Sequence, residues 1–210
     1  MIEGIVTPGM GVNCYLVSCD KTGKAILVDP GAGSKMISNW LKEKKKDVEY
    51  IVLTHGHWDH LGAVEDLRRE LGVKVAVHKD DAPMLTDPKL NLSYYSGRSI
   101  ALAPAEVLLE DNQILKIGEM EVKVLHTPGH TPGGICLLTK DGLLSGDTLF
   151  STSIGRTDFP NGDLNLLLKS IREKLMVLDD NLPVYPGHEE YTSIGRERKY
   201  NPYLNGLFFD

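Results

Sequence analysis

The sequence predicts an α/β fold in which two β-sheets pack together and helices cover them from outside. Short apolar runs typical of strands occur in two batches along the chain, and each batch is followed by helical patterning. No Gly/Ser-rich linker separates the batches, and 210 residues are enough for one large domain with a substantial core. One domain with two sheets inside and helices outside is the simplest architecture for this order.

The first batch begins with short apolar strands and passes into alternating helices and strands. The helix after the central strand is predicted because Leu61, Val64 and Leu67 recur at helical spacing. The stretch 73–77 reads V-K-V-A-V, whose strict alternation is typical of a strand. The predicted strands are 2–6, 14–18, 25–28, 50–53 and 73–77, and the helices are 34–44 and 60–71.

The second batch follows an irregular connection over 80–103, which contains one short helix near 81–85. An amphipathic helix is predicted later because Leu164, Leu167, Leu168, Ile171 and Leu175 share one face. The predicted strands are 106–109, 114–117, 122–126, 134–138, 143–145 and 184–185, and the helices are 163–178 and 192–199.

Composition excludes several classes of function. The net charge of −6 argues against a nucleic-acid partner. No run approaches the roughly 20 apolar residues of a membrane span, and the N-terminus lacks a signal-peptide pattern, so we expect a cytoplasmic protein without a membrane partner. Three cysteines without a C-x-x-C pair argue against a disulfide framework, and no phosphate-binding glycine motif occurs.

The segment H-G-H-W-D-H at 55–60 is the strongest chemical signal. It follows the apolar strand 50–53 and places His55 and His57 on one side, because side chains alternate along extended backbone. Asp59 and His60 then lie where the next helix starts. Imidazole and carboxylate groups converging at such a turn suit zinc or iron, singly or as a pair. The alternative is a helix-capping Asp59 beside ordinary surface histidines.

Other predicted strands also end in a polar group beside Gly or Pro, which is typical of a site at one rim of a sheet. These ends supply two more histidines and one further carboxylate, enough to complete two metal shells. The segments are D-P-G at 29–31, H-T-P-G-H-T-P-G at 126–133, G-D-T at 146–148 and P-G-H-E at 186–189.

The series H-G-H-W-D-H, G-H-T, G-D-T and P-G-H resembles, in the same order, the metallo-β-lactamase-fold hydrolases. The stretches S-I-G-R-T-D-F-P-N-G-D at 153–163 and S-I-G-R-E-R-K-Y-N-P-Y-L at 193–204 resemble the small glyoxalase II-like branch. The resemblance implies a four-layer αββα sandwich with two mixed sheets. It also implies one domain over 1–210, without a full C-terminal helical substrate domain.

The same resemblance implies a pair of divalent metal ions, most simply zinc, with iron or manganese as alternatives. The ligands of one ion would be His55, His57 and His130, and those of the other would be Asp59, His60 and His188. Asp147 would bridge the two ions. Asp29 would orient a ligand imidazole through its other ring nitrogen. His78 and His126 do not match ligand positions, so we expect them to have structural roles.

Two metal ions can share a hydroxide at neutral pH, so we expect hydrolysis by attack of a metal-bound hydroxide, with Asp59 holding it and taking its proton. A thioester such as S-lactoylglutathione suits this chemistry because its thiolate leaves readily. The resemblance places Arg156 at the basic position that helps hold glutathione in glyoxalase II proper, and Asp158 with Phe159 stands where glyoxalase II has a tyrosine. Alternatively, Arg156 and Asp158 pair with each other and brace the loop.

Other functions on the same residues stay open. A mononuclear iron persulfide dioxygenase would use His55, His130 and Asp147, and its family also carries a G-R-T-D-F segment. A lactone or β-lactam hydrolase is a further alternative, and a non-catalytic metal-binding protein is a third class. In each catalytic case the partner is a small-molecule substrate. The sequence carries no signal for the oligomeric state.

Overall fold

Two mixed β-sheets face each other in the computed structural model, which describes residues 1–205. Within that range the first sheet has six strands that neighbour one another in chain order. Its first three strands are antiparallel, and the rest are added in parallel. The strands are β1 (Ile2–Val6), β2 (Asn13–Ser18), β3 (Lys24–Val28), β4 (Asp47–Val52), β5 (Lys74–His78) and β6 (Val107–Leu109).

The second sheet comes from the second half of the chain and also has six strands within residues 1–205. Its order is β14-β13-β10-β9-β8-β7, and only the β10–β13 pair is parallel among these. Its strands are β7 (Ile114–Ile117), β8 (Met120–His126), β9 (Ile135–Thr139), β10 (Gly142–Gly146), β13 (Pro183–Pro186) and β14 (Thr192–Ser193). A separate short hairpin consists of β11 (Leu149–Phe150) and β12 (Ser153–Ile154).

Helices cover the outer faces of both sheets. Between the sheets, Val28 and Val52 of the first pack in one buried cluster with Val124 of the second. The first sheet also packs outward against α1 and α2, and the second against α4. The helices are α1 (Ser34–Lys44), α2 (Val64–Leu71), α3 (Ala82–Thr86), α4 (Leu164–Ser170) and α5 (Ile194–Tyr200). The predicted four-layer α/β sandwich is therefore confirmed.

The predicted helix 60–71 begins later than expected. Trp58–His60 form a 3₁₀ turn, and α2 starts at Val64. The backbones of Gly31 and Gly62 approach so closely that a Cβ at residue 62 would lie 2.3 Å from the Gly31 carbonyl oxygen. The Ala63 amide also donates to the Pro30 carbonyl at 3.0 Å. This tertiary contact between turns overrides the helical pattern.

The predicted C-terminal elements also need correction. The helix expected over 163–178 is shorter in the structure. The α-helix α4 ends at Ser170, and a π-helical turn over Ile171–Leu175 follows it. The helix expected from residue 192 begins only at Ile194, because Thr192–Ser193 pair with β13 as strand β14. The β11–β12 hairpin and a 3₁₀ turn at Ser93–Ser96 were not predicted. The last five residues of the predicted 1–210 domain lie outside the described part.

No helix within residues 1–205 combines the length and the hydrophobicity needed to cross a membrane.

Candidate metal centre

The predicted ligands meet at one rim of the sandwich because the polypeptide leaves several strands there. His55 and His57 follow β4, and the turn after them carries Asp59 and His60. The loop between β8 and β9, the end of β10 and the end of β13 supply His130, Asp147 and His188 respectively.

One half of the centre consists of His55, His57 and His130, all of them buried. Each offers one ring nitrogen, and these nitrogens lie within 4.8 Å of one another. Nδ1 of His57 lies 2.9 Å from Nε2 of His130. Three imidazole nitrogens converging in this way form a suitable face for a transition metal.

The other half consists of Asp59, His60 and His188. The Oδ2 atom of Asp59 lies 3.2 Å from Nε2 of His188 and 3.9 Å from Nε2 of His60. The His60 side chain is wholly buried, whereas that of His188 is 22% exposed. This half therefore faces the solvent more than the first.

Asp147 lies between the two halves. Its Oδ1 atom is 3.5 Å from Nε2 of His60, and its Oδ2 atom is 3.6 Å from Nε2 of His130 and 3.7 Å from Nε2 of His188. His55 and His60 form a third convergent group with Asp147. One carboxylate therefore reaches both clusters, as a bridging ligand must.

Several polar atoms of this cluster fit a metal better than they fit any protein partner. Nε2 of His55, Nε2 of His60 and Oδ1 of Asp147 are buried and have no hydrogen-bond partner among residues 1–205. Buried polar atoms without partners cost stability unless something else satisfies them. Imidazole and carboxylate donors in this number suit divalent zinc, iron or manganese. The residues present therefore fit a divalent metal centre.

The three-histidine half favours neutral rings. Burial lowers the pKa of His55 well below its ordinary value, and the neighbouring histidines lower it further. Burial and the adjacent His130 also lower the pKa of His57 to about 3. Neutral imidazoles keep a free lone pair for a metal at neutral pH, which is the state that coordination requires.

The carboxylate-containing half favours positive charge. Burial alone would lower the pKa of His60, but Asp147, Asp29 and Asp59 outweigh it and raise the pKa to about 10. Burial would raise the pKa of Asp59, but His60 and His188 outweigh it and lower the pKa. The clustered carboxylates therefore create a negative potential, which would attract a cation.

A second layer of contacts orients these ligands. Asp29 accepts hydrogen bonds from the Thr54 amide at 2.8 Å and the Thr54 hydroxyl at 2.6 Å. Its Oδ2 atom also lies 3.0 Å from Nδ1 of His60, although the two are not aligned as a hydrogen bond. The Arg156 carbonyl lies 2.7 Å from Nδ1 of His130. A proton on that Nδ1 leaves Nε2 of His130 free for a metal.

Asp81 is a buried residue of this layer that the sequence analysis did not single out. One carboxylate oxygen accepts from the Gly56 amide at 2.9 Å and the Thr131 hydroxyl at 2.7 Å, and the other accepts from the Gly133 amide at 2.6 Å. Asp81 therefore joins the His55–His57 turn to the His130 loop. Like the predicted ligands it follows a strand end, which is the signal that could have identified it.

Arg156 and Asp158 lie at the edge of the cleft and pair with each other. Two hydrogen bonds of 3.0 and 2.8 Å join the guanidinium to the carboxylate, and the two side chains are 66% and 65% exposed. The Arg156 guanidinium also lies 4.3 Å from the centre of the Phe159 ring. This geometry matches the loop-bracing alternative, and binding of substrate by either residue stays a prediction.

His78 and His126 form a separate pair. Their rings stack with centres 3.9 Å apart and planes 15° apart, and Asp80 lies 3.6 Å from His78. His78, Asp80 and His126 offer ligand atoms within 4.8 Å of one another, but the stacked rings direct their lone pairs into two separate parallel planes, which does not suit chelation of one ion. The His126 ring also contacts the Pro132 carbonyl at 2.8 Å. Neither histidine belongs to the metal centre, in keeping with the structural roles expected.

The four-layer sandwich and the histidine–aspartate centre at its rim define a metalloprotein of the α/β class. The chain belongs to the metallo-beta-lactamase superfamily, whose family model matches residues 7–188. It is 36% identical over 208 residues to the hydroxyacylglutathione hydrolase GloC of Haemophilus influenzae, covering 97% of this chain and 98% of that protein. The predicted family is thus confirmed, and the protein is a metal-dependent hydrolase of this superfamily.

Two solved structures are similar over nearly the whole chain. The B3 metallo-beta-lactamase BLEG-1 is 39% identical, with a TM-score of 0.94 and coverage of 98% of this chain and 100% of that one. The protein TTHA1623, determined in a di-iron-bound form, is 32% identical, with a TM-score of 0.85 and coverage of 96% and 100%. The identity of the metal and the substrate stay predictions, as does the role of each ligand.

Proposed function

We propose that this protein hydrolyses thioesters of small acyl-thiols at a dinuclear metal centre. The observation that carries the proposal is the position of Asp147 between two clusters of three ligands each. The similarity to a protein named hydroxyacylglutathione hydrolase supports a thioester as the substrate. The di-iron form of TTHA1623 supports two metal ions. We take zinc as the first candidate and iron or manganese as alternatives.

Divalent cations held by these residues would lower the pKa of a water molecule to about 7 and so supply a hydroxide at neutral pH. Asp59 is our candidate to hold the attacking group and accept its proton, because its carboxylate lies inside the centre, 3.2 Å from Nε2 of His188 and 3.9 Å from Nε2 of His60. The contact of His130 with the Arg156 carbonyl keeps the ring in one orientation. Asp29 holds the Thr54 amide and hydroxyl directly before His55, and its carboxylate lies 3.0 Å from Nδ1 of His60.

The cleft above these residues suits a small-molecule substrate. Its cavity volume is about 350 Å³. Trp58, Phe150 and Phe159 line it together with the polar residues of the centre, so the cleft combines an apolar wall with a charged floor. Arg156 stands at the edge, where its guanidinium can exchange Asp158 for a substrate carboxylate.

Hydrolysis of β-lactams is a second candidate, favoured by the similarity to BLEG-1 over the whole chain. Both reactions attack a carbonyl carbon and develop an oxyanion, so the same centre can serve either. They differ in the leaving group, which is a thiolate in one case and a ring nitrogen in the other. Rates on a thioester and on a chromogenic cephalosporin therefore separate the two candidates.

Metal analysis coupled to activity tests the proposal. We expect about two metal ions per chain and release of thiol from S-lactoylglutathione or another acyl thioester. One iron per chain, together with oxygen uptake on a persulfide, would instead establish the mononuclear dioxygenase. A protein that carries two metals but cleaves no thioester would contradict the proposed substrate class.

The substitution Asp147→Ala tests the shared carboxylate. Because this residue reaches both clusters, we expect metal content to fall in both halves and thioester turnover to fall by at least about 100-fold. Glu119→Gln is the control, because Glu119 is a 60% exposed carboxylate paired only with Lys21 among residues 1–205. Unchanged metal content in Asp147→Ala would exclude a bridging role.

A further inference from the structure

We propose that an apolar groove beside the metal centre binds an apolar group of the substrate, aromatic or branched aliphatic in class. The inference rests on the proposed function and specifies the substrate of that same site. The groove has a volume of about 440 Å³. Its lining residues are Trp58, Leu92, Tyr95, Ser96, Phe159 and Pro160, and none of these is charged.

The groove continues directly from the metal cleft. Trp58, Leu92 and Phe159 line both cavities. The Phe159 ring also meets the ring of His57 edge-on, with centres 5.5 Å apart. A substrate whose reacting carbonyl lies over the metal ligands therefore extends into the groove without crossing a polar barrier.

Both aromatic walls of the groove are held in place. The Arg98 guanidinium lies 4.8 Å from the centre of the Trp58 ring, and the Arg156 guanidinium lies 4.3 Å from that of Phe159. Such cation–π contacts restrict the orientation of each ring. Fixed rings form a slot, into which a flat or branched group fits with little loss of protein freedom.

The third wall is built by an unusual backbone conformation. Leu92 has φ of +70°, in the left-handed region that side chains rarely adopt. The preceding Asn91 is wholly buried, and its side-chain amide donates to the main-chain carbonyls of Met84 and Ile100 at 2.9 Å each. The main-chain carbonyl of Asn91 accepts a hydrogen bond from the Trp58 amide at 3.0 Å. These bonds fix the backbone next to Leu92 against that of Trp58, so Leu92 stays in the groove wall despite the strain.

The chemistry of the walls determines the occupant. A charged group would lose water in the groove and find no partner among the lining residues, so charged parts of a substrate must remain outside. Tyr95 is 70% exposed, and an apolar ligand would remove part of that ring from water. Burial of apolar surface on both sides therefore favours an aromatic or branched aliphatic group.

A matched series of thioesters tests the proposal. One arm compares phenylacetyl with acetyl on the same small thiol, and the other compares acetyl esters of phenylmethanethiol and of a methyl thiol. The first arm places the apolar group on the acyl side and the second on the thiol side. We expect kcat/KM to favour the aromatic member in one arm by about tenfold or more.

Two substitutions in the groove and one control substitution then test whether the groove causes the preference for the aromatic substrate. Leu92→Ala and Tyr95→Ser should reduce the aromatic-to-small ratio of kcat/KM by about tenfold. Tyr200→Ser is the matched control, because Tyr200 is an exposed tyrosine of α5 that does not line the groove, and it should keep the wild-type ratio. Ratios that stay unchanged in both groove variants would overturn the groove while leaving thioester hydrolysis intact.

Binding of non-hydrolysable thioethers separates failure of the groove from failure of the proposed function. If no thioester is cleaved, the proposed function fails. The groove still stands if calorimetry finds that a benzyl thioether binds about tenfold more tightly than its methyl counterpart and that Leu92→Ala removes the difference. Equal binding of the two thioethers by the wild-type protein would overturn the groove.

Discussion

Asp29 and Asp81 hold the turns that carry the ligands. Asp29 receives both polar groups of Thr54, and Asp81 receives two backbone amides and one hydroxyl from two different loops. The resemblance to a known family predicted a supporting role for Asp29, whereas Asp81 was not singled out, although it too lies just after a strand. Both carboxylates act on segments at least 25 residues away along the chain, so their contacts are seen only in the tertiary structure.

Asp81→Asn should weaken metal binding mainly at the three-histidine half. Asparagine keeps only one acceptor oxygen, so its NH2 group faces either the Gly56 amide or the Gly133 amide, donor against donor. We expect metal affinity there to fall by about 10- to 100-fold, as for other residues that orient ligands. Isothermal titration calorimetry with the metal ion measures the affinity of each site.

Asp80→Asn is the matched control for that change, because Asp80 is the neighbouring carboxylate and its side chain is 46% exposed. It should retain wild-type affinity in both halves. Equal affinities in Asp81→Asn and Asp80→Asn would contradict the positioning role of Asp81.

At the scale of the elements, close approaches between backbones set the geometry of the site. A Cβ at Gly129 would lie 2.3 Å from the Leu167 amide nitrogen in α4, and Gly129 has φ of +134°. The Asp163 amide, which precedes α4, donates to the Gly129 carbonyl at 2.8 Å. The helix and the loop that carries His130 are therefore packed against each other by contacts that only glycine permits.

Gly129→Ala should destabilise the fold by more than about 2 kcal/mol, since it combines backbone strain with overpacking against a helix. Gly72→Ala is the control. It also has positive φ, but no atom outside its neighbours lies within 4 Å of its Cβ position, so only the backbone cost of about 1 kcal/mol applies. Urea unfolding measures both changes. Similar losses for the two variants would exclude the predicted clash.

The stacked histidines link the two sheets, because His78 ends β5 and His126 ends β8. Burial and the adjacent His126 lower the pKa of His78 to about 4, whereas an unfolded chain has a histidine pKa of about 6.5. Between these values the unfolded state binds the proton more readily. Stability should therefore fall as the pH decreases from about 6.5 to 4.

His78→Gln removes the titrating imidazole, so the free energy of unfolding should decrease less as the pH falls. The wild-type free energy of unfolding should lose up to about 3 kcal/mol more than the variant between pH 7 and pH 4. Urea unfolding at several pH values, with chelator present throughout, isolates this contribution from metal release. The same decline in both proteins would show that His78 does not titrate in this way.

At the scale of the whole molecule, the metal centre joins parts of the chain that lie more than 130 residues apart. Its candidate ligands run from His55 to His188 and follow strands of both sheets. Nε2 of His55, Nε2 of His60 and Oδ1 of Asp147 are buried and have no hydrogen-bond partner within residues 1–205. Bound metal should therefore stabilise the whole fold as well as enable catalysis.

Adding zinc to metal-stripped protein should raise the Tm. Free zinc at about 100 times Kd contributes about 2.7 kcal/mol, which corresponds to about 5–10 °C for a chain of this size. Differential scanning calorimetry measures the shift, and Asp147→Ala should show a smaller one because it lacks the ligand that reaches both clusters. A Tm that does not respond to zinc would contradict the coupling between the metal centre and the fold.

The sequence by itself determined the two-sheet sandwich through short-range patterns, and it indicated the family and the seven candidate ligands through the resemblance of its strand-end motifs to a known family. Strand alternation, helical spacing and strand-end motifs all repeat within a few residues. The tertiary structure decided what depends on distant contacts: the late start of α2 at Val64, the support from Asp81 and the groove at Leu92. Each of these arises where two remote segments meet, and a linear pattern carries no record of such an approach.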